Sequence, residues 1–163
     1  MFEGRSAAES QRFETDDFSG VGALIIGRRM ADLGIGPWGA EPTFRAPVFV
    51  VTHRPAETIV KRGGTSYVFV TEGIGNALVR AREAAGSDDV QVKGGADVAR
   101  QYLTVGAIDE VRLHLAPMTM GGGTRLFGEG SSPNLRLQPI AADTSPLATH
   151  LTYAVERAGP QDS

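Results

Sequence analysis

The sequence predicts an α/β protein with a mostly parallel, twisted sheet and helices on both of its faces. Short continuous apolar runs, which are typical of strands buried on both faces, alternate with segments whose apolar residues recur at helical spacing. The last third of the chain instead contains two strand-like runs joined by a turn, which predicts a C-terminal antiparallel strand pair. The 21 glycines and 9 prolines among 163 residues predict many tight turns, which favours this class over a helix bundle.

The first two thirds of the chain contain the parallel elements. Short helices are expected to follow the first and the last of four buried strands, and a longer helix, closed by Gly86, lies between the third and the fourth. That longer helix is expected to face the sheet through Ile74, Leu78, Ala81 and Ala85. The predicted strands cover residues 22–26, 47–52, 66–70 and 90–92, and the longer helix covers residues 74–85.

The C-terminal third has a different pattern. Polar and apolar residues alternate at 110–117, which predicts a strand with one less buried face and puts His114 on its polar side. A solvated or hydrogen-bonded histidine is favoured there over a catalytic one. Residues 134–140 and 148–156 form the predicted antiparallel pair.

Composition limits the domain organisation and the partners. The length fits one domain over residues 1–163, with a poorly defined N-terminal segment at 1–20 and a flexible tail at 159–163. The formal charge of −3 gives no basic field for a nucleic acid, so no nucleic-acid partner is expected. Cysteine is absent and the three histidines are scattered, so no metal site is predicted. No apolar run approaches the roughly 20 residues that a bilayer crossing needs. The N-terminus also lacks the basic-then-apolar pattern of a signal peptide, so a cytoplasmic protein without a membrane partner is expected.

The segment from Val92 to Leu103 breaks a buried strand at Gly94 and Gly95 and restarts as a helix. A helix start leaves backbone N–H groups without partners, and a Gly-Gly pair lets an anion approach the main chain with no Cβ in the way. This pattern is compatible with a phosphate site and also with an ordinary tight turn.

Two further segments are expected at the same edge of the sheet, because ligands of parallel sheets bind at the carboxyl ends of the strands. Gly27-Arg28-Arg29 and Thr52-His53-Arg54 each follow a predicted strand, and their cations could bind phosphate groups. An NADP-type ligand is favoured over NAD, because cations follow the strand where an NAD site usually has an acid. The alternative is that these cations are solvated charges on a turn and on the first turn of a helix.

The order of these motifs resembles a known family. Leu24 to Arg29, Val51 to Pro55, Val92 to Val98 and the long segment from Asp109 to Phe127 are similar to the reductase domain of bacterial bifunctional riboflavin-biosynthesis deaminase-reductases. That family lies within the dihydrofolate reductase-like superfamily. The resemblance implies a dihydrofolate reductase-like three-layer α/β/α fold, NADPH as hydride donor and a homodimer.

The resemblance also assigns a cofactor site. It implies that Gly27, Arg28 and Arg29 approach the cofactor phosphates and that Thr52, His53 and Arg54 lie beside the 2′-phosphate of the adenosine. It implies further that the peptide bond between Gly94 and Gly95 is cis. The pyrophosphate and nicotinamide would be bound by Gly94, Gly95, Ala96, Asp97 and Val98, with Lys93 directly before them in the same site.

Members of this family usually begin with a hydrophobic central strand and a Ser-Leu-Asp-Gly type segment, which this sequence does not show before Gly22. A missing N-terminal strand is therefore expected. No proton donor is identified, since Glu14, Asp16 and Asp17 are expected to be solvated charges.

The resemblance implies an NADPH-dependent reductase of a small heterocycle, similar to 5-amino-6-(5-phosphoribosylamino)uracil reductase or to dihydrofolate reductase. The alternatives are a catalytically impaired dinucleotide-binding protein of the same fold and a flavin-binding protein.

Overall fold

The computed structural model describes residues 18–127 and 135–156. The predicted tail at 159–163, most of the segment at 1–20 and the acids Glu14, Asp16 and Asp17 lie outside these residues. Most of the segment before Gly22, where the opening strand of the family is expected to be missing, lies outside them as well. The chain divides into two compact units, Met1–Val98 and Ala99–Ser163. The expectation of a single domain over residues 1–163 stays a prediction.

The first unit contains a five-stranded sheet in the order β3-β4-β2-β1-β5. Strand β1 lies between β2 and β5 and is parallel to both, β2 is parallel to β4, and β3 adds an antiparallel edge. The predicted mostly parallel sheet is therefore confirmed. The strands are β1 Val21–Gly27, β2 Pro47–Val51, β3 Ile59–Val60, β4 Ser66–Val70 and β5 Asp89–Gly94.

Two helices, α1 Arg28–Gly34 and α2 Ile74–Ala85, belong to the first unit. A third, α3 Ala96–Thr104, begins in the first unit and continues in the second. Helix α1 follows β1 directly, and α3 begins two residues after β5 ends. The bounds of α2 and the termination at Gly86, which has a φ of 61°, are as the sequence predicts.

Helix α2 covers one face of the sheet. Its buried residues, Ala77, Ala81 and Ala85, recur every four positions, so a narrow stripe of small side chains meets the strands. Phe49 of β2 faces this helix, and the Arg80 guanidinium lies 5.7 Å from the centre of its ring. The small alanines let the helix approach the sheet closely.

An aromatic cluster covers the opposite face. Trp38, in the loop after α1, stacks on Tyr67 of β4 with an interplanar angle of 7°, and Phe44 meets both rings edge-on. These rings pack with the alternate residues Leu24 and Ile26 of β1. Both faces of β1 are therefore buried, as its continuous apolar run predicts.

The second unit contains a three-stranded antiparallel sheet in the order β6-β8-β7. One face is apolar, with Val111 paired to Tyr153 and Leu113 paired to Leu151, and the other is polar. The expected C-terminal pair is thus present, and the alternating strand before it joins the same sheet. The strands are β6 Glu110–Leu115, β7 Arg136–Ser145 and β8 Ala148–Glu156.

The sequence gives no signal for the edge strand β3 or for the 3₁₀ turn Arg62–Gly64. Strand β3 has only two residues, Ile59 and Val60, and both are exposed, so it has neither the length nor the burial that produces a pattern. No helix within residues 18–127 and 135–156 is long and apolar enough to cross a membrane.

Replacing Gly22 with alanine should destabilise the protein by about 1–3 kcal/mol, because the new methyl group would overpack the sheet–helix interface. A Cβ at this position would lie 2.7 Å from the Ala85 Cα and 2.9 Å from the Ala85 carbonyl oxygen. Urea unfolding of both proteins measures the difference. The control is Gly75→Ala in helix α2, where a Cβ would meet nothing within 4 Å. An equal loss of stability in the control would contradict the packing argument.

Candidate functional site

Parallel pairing brings the ends of three strands to one edge of the first unit's sheet. Gly27 at the end of β1 is paired with Val51 at the end of β2, and Ile26 is paired with Gly94 at the end of β5. The segments that follow these strands are the three that the sequence singles out. They are residues 27–29, 52–54 and 94–98.

The Gly94–Gly95 pair forms the floor of this edge. Its peptide bond is cis, as the family resemblance implies. Gly94 has a φ of 127°, a backbone conformation that residues with a Cβ rarely adopt. A Cβ at Gly27 would lie 3.1 Å from Val98 Cγ2 and 3.5 Å from the Gly95 nitrogen. A Cβ at Gly95 would meet nothing within 4 Å. The main chain is therefore close-packed on the Gly27 side and open above Gly95.

Helix α3 begins directly after this floor. Its first residues are Ala96, Asp97 and Val98, and the backbone N–H groups at the start of a helix point out of its N-terminal end. Val98 is buried against Gly27 and fixes the start of the helix. Asp97 is exposed in the first turn, where its charge favours the helix but opposes an anion placed directly beside it.

A carboxylate joins the two arginines at the ends of β1 and β2. Asp32 Oδ1 accepts a hydrogen bond from Arg28 Nε at 2.7 Å, and its Oδ2 accepts one from Arg54 Nη2 at 3.1 Å. Arg28 Nη1 also donates to the carbonyl oxygen of Arg54 at 3.2 Å. We name these three residues the Arg28–Asp32–Arg54 cluster; it ties helix α1 to the turn after β2.

Thr52 fixes the turn that carries Arg54. Its side chain is buried, and its backbone N–H donates to the carbonyl oxygen of Val70 at 3.1 Å. Its hydroxyl oxygen accepts the Arg54 N–H at 3.0 Å and lies 3.2 Å from the Arg54 carbonyl oxygen, to which it donates. Thr52 therefore shapes the turn through the main chain of residue 54 and leaves its own side chain occupied.

The two arginines differ in exposure. The Arg28 side chain is 25% exposed and lies over the Phe69 ring, with its guanidinium carbon 5.2 Å from the ring centre. The Arg54 side chain is 70% exposed. Arg28 is thus held by stacking and by Asp32, whereas Arg54 is held by Asp32 alone among the side chains described.

The cluster changes the acidity of its carboxyl group. The hydrogen bond from Arg28, followed by the positive charges of Arg28 and Arg54, lowers the pKa of Asp32 below its ordinary value of 3.8. A second acid, Glu72, follows β4 at the same edge, and hydrogen bonds from backbone N–H groups at Glu72 and Thr71 lower its pKa. The net charge of these groups is +1, because three arginines, at positions 28, 29 and 54, outnumber the two acids Asp32 and Glu72.

Three other residues of the predicted cofactor site, Arg29, His53 and Lys93, are not part of this cluster. Arg29 and His53 are exposed, and within the described part of the chain neither forms a hydrogen bond or ion pair with the Arg28–Asp32–Arg54 cluster. The Lys93 ammonium lies 4.6 Å from the centre of the Phe18 ring. Lys93 is therefore directed to that aromatic side chain.

Sequence reasoning missed Asp32 and Glu72. Asp32 follows Arg28 by four residues on a predicted helix, and this spacing is the signal that could have linked them. Its partnership with Arg54 has no such signal, because 22 residues separate the two.

Substituting Arg28 with methionine should raise the pKa of Asp32 toward 3.8 by more than Arg54→Met does, because the Arg28 hydrogen bond is the larger cause of the lowering. Carboxyl-carbon NMR titration measures this directly. Because the pKa of Asp32 is lower in the folded state, its ion pairs stabilise the fold at pH values above the ordinary pKa of 3.8. This contribution is lost as the pH falls through the folded-state pKa.

The matched control is Arg45→Met, which breaks an exposed ion pair of 3.4 Å with Glu41 before β2 begins. This variant should leave the Asp32 pKa unchanged. A larger shift from Arg54→Met than from Arg28→Met would contradict the assignment.

Two solved structures share the fold. A candidate riboflavin-biosynthesis protein from Shewanella sp. PV-4 superimposes with a TM-score of 0.65 at 23% identity, covering 95% of this chain and 82% of that one. A dihydrofolate reductase from Enterococcus faecalis, complexed with NADP(H), superimposes with a TM-score of 0.61 at 17% identity, covering 94% and 84% of the two chains. The predicted dihydrofolate reductase-like α/β architecture is confirmed.

Sequence comparison gives the family. The uncharacterized protein YyaP of Bacillus subtilis (strain 168) is 23% identical over 123 residues, which cover 69% of this chain and 63% of YyaP. The chain thus spans less than two thirds of the length of this curated relative. Residues 4–149 match the sequence profile of the RibD C-terminal domain, and a match over most of the chain shows that the protein belongs to the RibD C-terminal domain family.

Proposed function

We propose that the protein is an NADPH-dependent reductase of a small heterocyclic substrate, of the kind found in riboflavin biosynthesis or in dihydrofolate reduction. The observation that carries this proposal is the pair of guanidinium groups fixed by Asp32 beside an open Gly94–Gly95 floor. Membership of the RibD C-terminal domain family and a fold shared with an NADP(H)-bound dihydrofolate reductase support it.

The phosphate on the adenosine 2′-oxygen would bind at the Arg28–Asp32–Arg54 cluster. Arg28 and Arg54 each use part of their guanidinium group for Asp32, and a guanidinium has five N–H donors, so other donors remain to bind a phosphate. The turn fixed by Thr52 would orient the Arg54 main chain toward the adenosine, and the exposed Arg29 and His53 would add positive charge around it.

The pyrophosphate would lie over the Gly94–Gly95 floor. The absence of a Cβ at Gly95 lets a phosphate approach the main chain, and the first N–H groups of the nine-residue helix α3, at Ala96, Asp97 and Val98, would donate to it. Lys93 would contribute charge from the end of β5.

When bound, NADPH supplies the hydride, and the chain's own residues supply binding and orientation. The close packing of Gly27 against Val98 and Gly95 gives the floor a fixed position against which a nicotinamide ring can be held. No proton donor is assigned within the described residues, and the acids Glu14, Asp16 and Asp17 lie outside them. A homodimer in the cytoplasm belongs to the same proposal, and light scattering checks its mass.

A dinucleotide-binding protein without turnover is the second candidate. Asp32 already accepts hydrogen bonds from both arginines, so a bound phosphate must share them with a carboxylate. This competition concerns the affinity for the dinucleotide and not its turnover. Binding and turnover therefore need separate tests.

Replacing Arg54 with glutamine should weaken NADPH binding by about tenfold or more and leave NADH binding nearly unchanged, because a charge-assisted hydrogen bond to the 2′-phosphate contributes about 1.5–3 kcal/mol. Arg28→Gln should act in the same direction. Fluorescence titration of both coenzymes against each variant measures the ratio of the two dissociation constants.

The control for this titration is Arg45→Gln, which removes an ion-paired, exposed arginine before β2 begins, at the other end of the strand from Thr52. It should leave both affinities unchanged. Equal affinities of the wild type for NADPH and NADH would contradict the proposed 2′-phosphate site.

Purified protein should oxidise NADPH when a ribosylated aminopyrimidine or dihydrofolate is added, and the loss of nicotinamide absorbance measures it. Binding of NADPH without oxidation in the presence of either substrate would favour the non-catalytic candidate. A flavin-binding protein, the third hypothesis, would instead carry a yellow chromophore after purification.

A further inference from the structure

The polar face of the second unit's sheet carries two histidines whose rings meet. His114 of β6 and His150 of β8 are directly opposite in the antiparallel register. Their Nδ1 atoms are 2.8 Å apart, and their ring centres are 5.1 Å apart with an interplanar angle of 64°. Two imidazole nitrogen atoms from different strands are therefore in direct contact.

The contact defines the protonation of that point. Between two neutral rings, a hydrogen bond of this length requires one Nδ1 to carry a hydrogen and the other to offer its lone pair. In that neutral pair, one hydrogen lies between the two Nδ1 atoms. If it moves to the outer nitrogen of its ring, both lone pairs face each other.

The His150 ring is oriented by a second contact. Its outer nitrogen, Nε2, lies 3.2 Å from the Ser145 hydroxyl oxygen. That oxygen is itself fixed in the turn between β7 and β8, where it accepts the Ala148 N–H at 3.1 Å. A ring nitrogen held by an outer hydrogen bond, with the other nitrogen directed inward, is the arrangement that metal-binding histidines commonly have.

We propose that His114 and His150 form a binding site for a divalent transition-metal ion such as Zn²⁺. Zinc–nitrogen bonds are about 2.0–2.1 Å long, so two tetrahedral nitrogen ligands lie about 3.3 Å apart. The two Nδ1 atoms need to separate by about half an ångström from their present 2.8 Å. His114 is exposed and His150 is half-buried, so small ring rotations suffice. The metal takes the place of the shared hydrogen, which moves to an outer nitrogen or to solvent.

The surroundings determine the kind of ion. Imidazole ligands suit zinc, copper and nickel, whereas magnesium and calcium prefer oxygen ligands. Among the residues described, no group of three or more histidine, aspartate or glutamate side chains is arranged around a metal position. Water would therefore complete the coordination, which makes this an open site of modest affinity.

The charges on the same face do not oppose a cation. Asp143 of β7 is opposite His150 and adds a negative charge to the row, although its Oδ1 accepts the Thr144 N–H at 2.7 Å. Arg112, two residues before His114, is paired with Glu110 through an Nε–Oε1 contact of 2.5 Å. The positive charge nearest along β6 is thus balanced.

Calorimetric titration of the full chain with Zn²⁺ tests the proposal. One ion should bind per chain in the wild type, and His114→Gln and His150→Gln should each weaken binding by at least roughly tenfold, because each removes a ligand. The chain contains three histidines, so His53→Gln, at the exposed turn of the first unit, is the matched control and should bind as the wild type does. Mg²⁺ should give no saturable binding.

A second measurement needs no variant. The ring-proton NMR signals of His114 and His150 should shift with Zn²⁺ while that of His53 does not. Unchanged affinity in both glutamine variants, loss of binding in His53→Gln, or the absence of saturable Zn²⁺ binding would each overturn the proposal. None of these outcomes depends on NADPH, so the site can fail while the proposed reductase function stands.

Discussion

The placement of β1 between two parallel neighbours is the constraint on which the rest of the first unit depends. Both faces of this strand are buried, one by helix α2 and the other by the aromatic cluster, and burial of its apolar side chains is the main force that holds it there. The strand has a glycine near each end where another part of the chain comes close. Gly22 meets Ala85 of α2, and Gly27 meets Val98 and the Gly95 nitrogen. The same packing that stabilises the sheet therefore positions the candidate cofactor floor.

Asp32 has two opposing effects on the candidate phosphate site. It holds Arg28 and Arg54 in place, which reduces the conformational entropy that these long side chains lose when a ligand binds. It also competes with the ligand for the same positive charge. The guanidinium group reconciles the two effects, because Asp32 uses Nε of Arg28 and Nη2 of Arg54 while each group has further donors. A lysine at either position would offer a point charge without this division of roles.

The features that the sequence predicts well are those with a local cause. The helix at 74–85 and the strands at 66–70 and 148–156 have the predicted bounds, since their patterns repeat within a few residues. The edge that gathers residues 27–29, 52–54 and 94–98 is also predictable, because parallel strands end on one side. Asp32 is not, since an exposed acid on a short helix has the pattern of a solvated face. Its structural role depends on its ion pair with Arg54, and the two residues are close only in the folded chain.

The histidine pair illustrates the same limit more strongly, because 36 residues separate its members and only the register of β6 against β8 joins them. A slip of one residue in the pairing would move His150 to the apolar face of the sheet, so that it would no longer lie opposite His114. Ser145 links this register to the pair, since its hydroxyl oxygen accepts the Ala148 N–H at the tight turn and also contacts His150 Nε2. The turn that sets the strand pairing is therefore the same element that orients the ring. A change at Ser145 would consequently act on the turn and on the ring orientation together, whereas a change at His114 would act on the nitrogen pair alone.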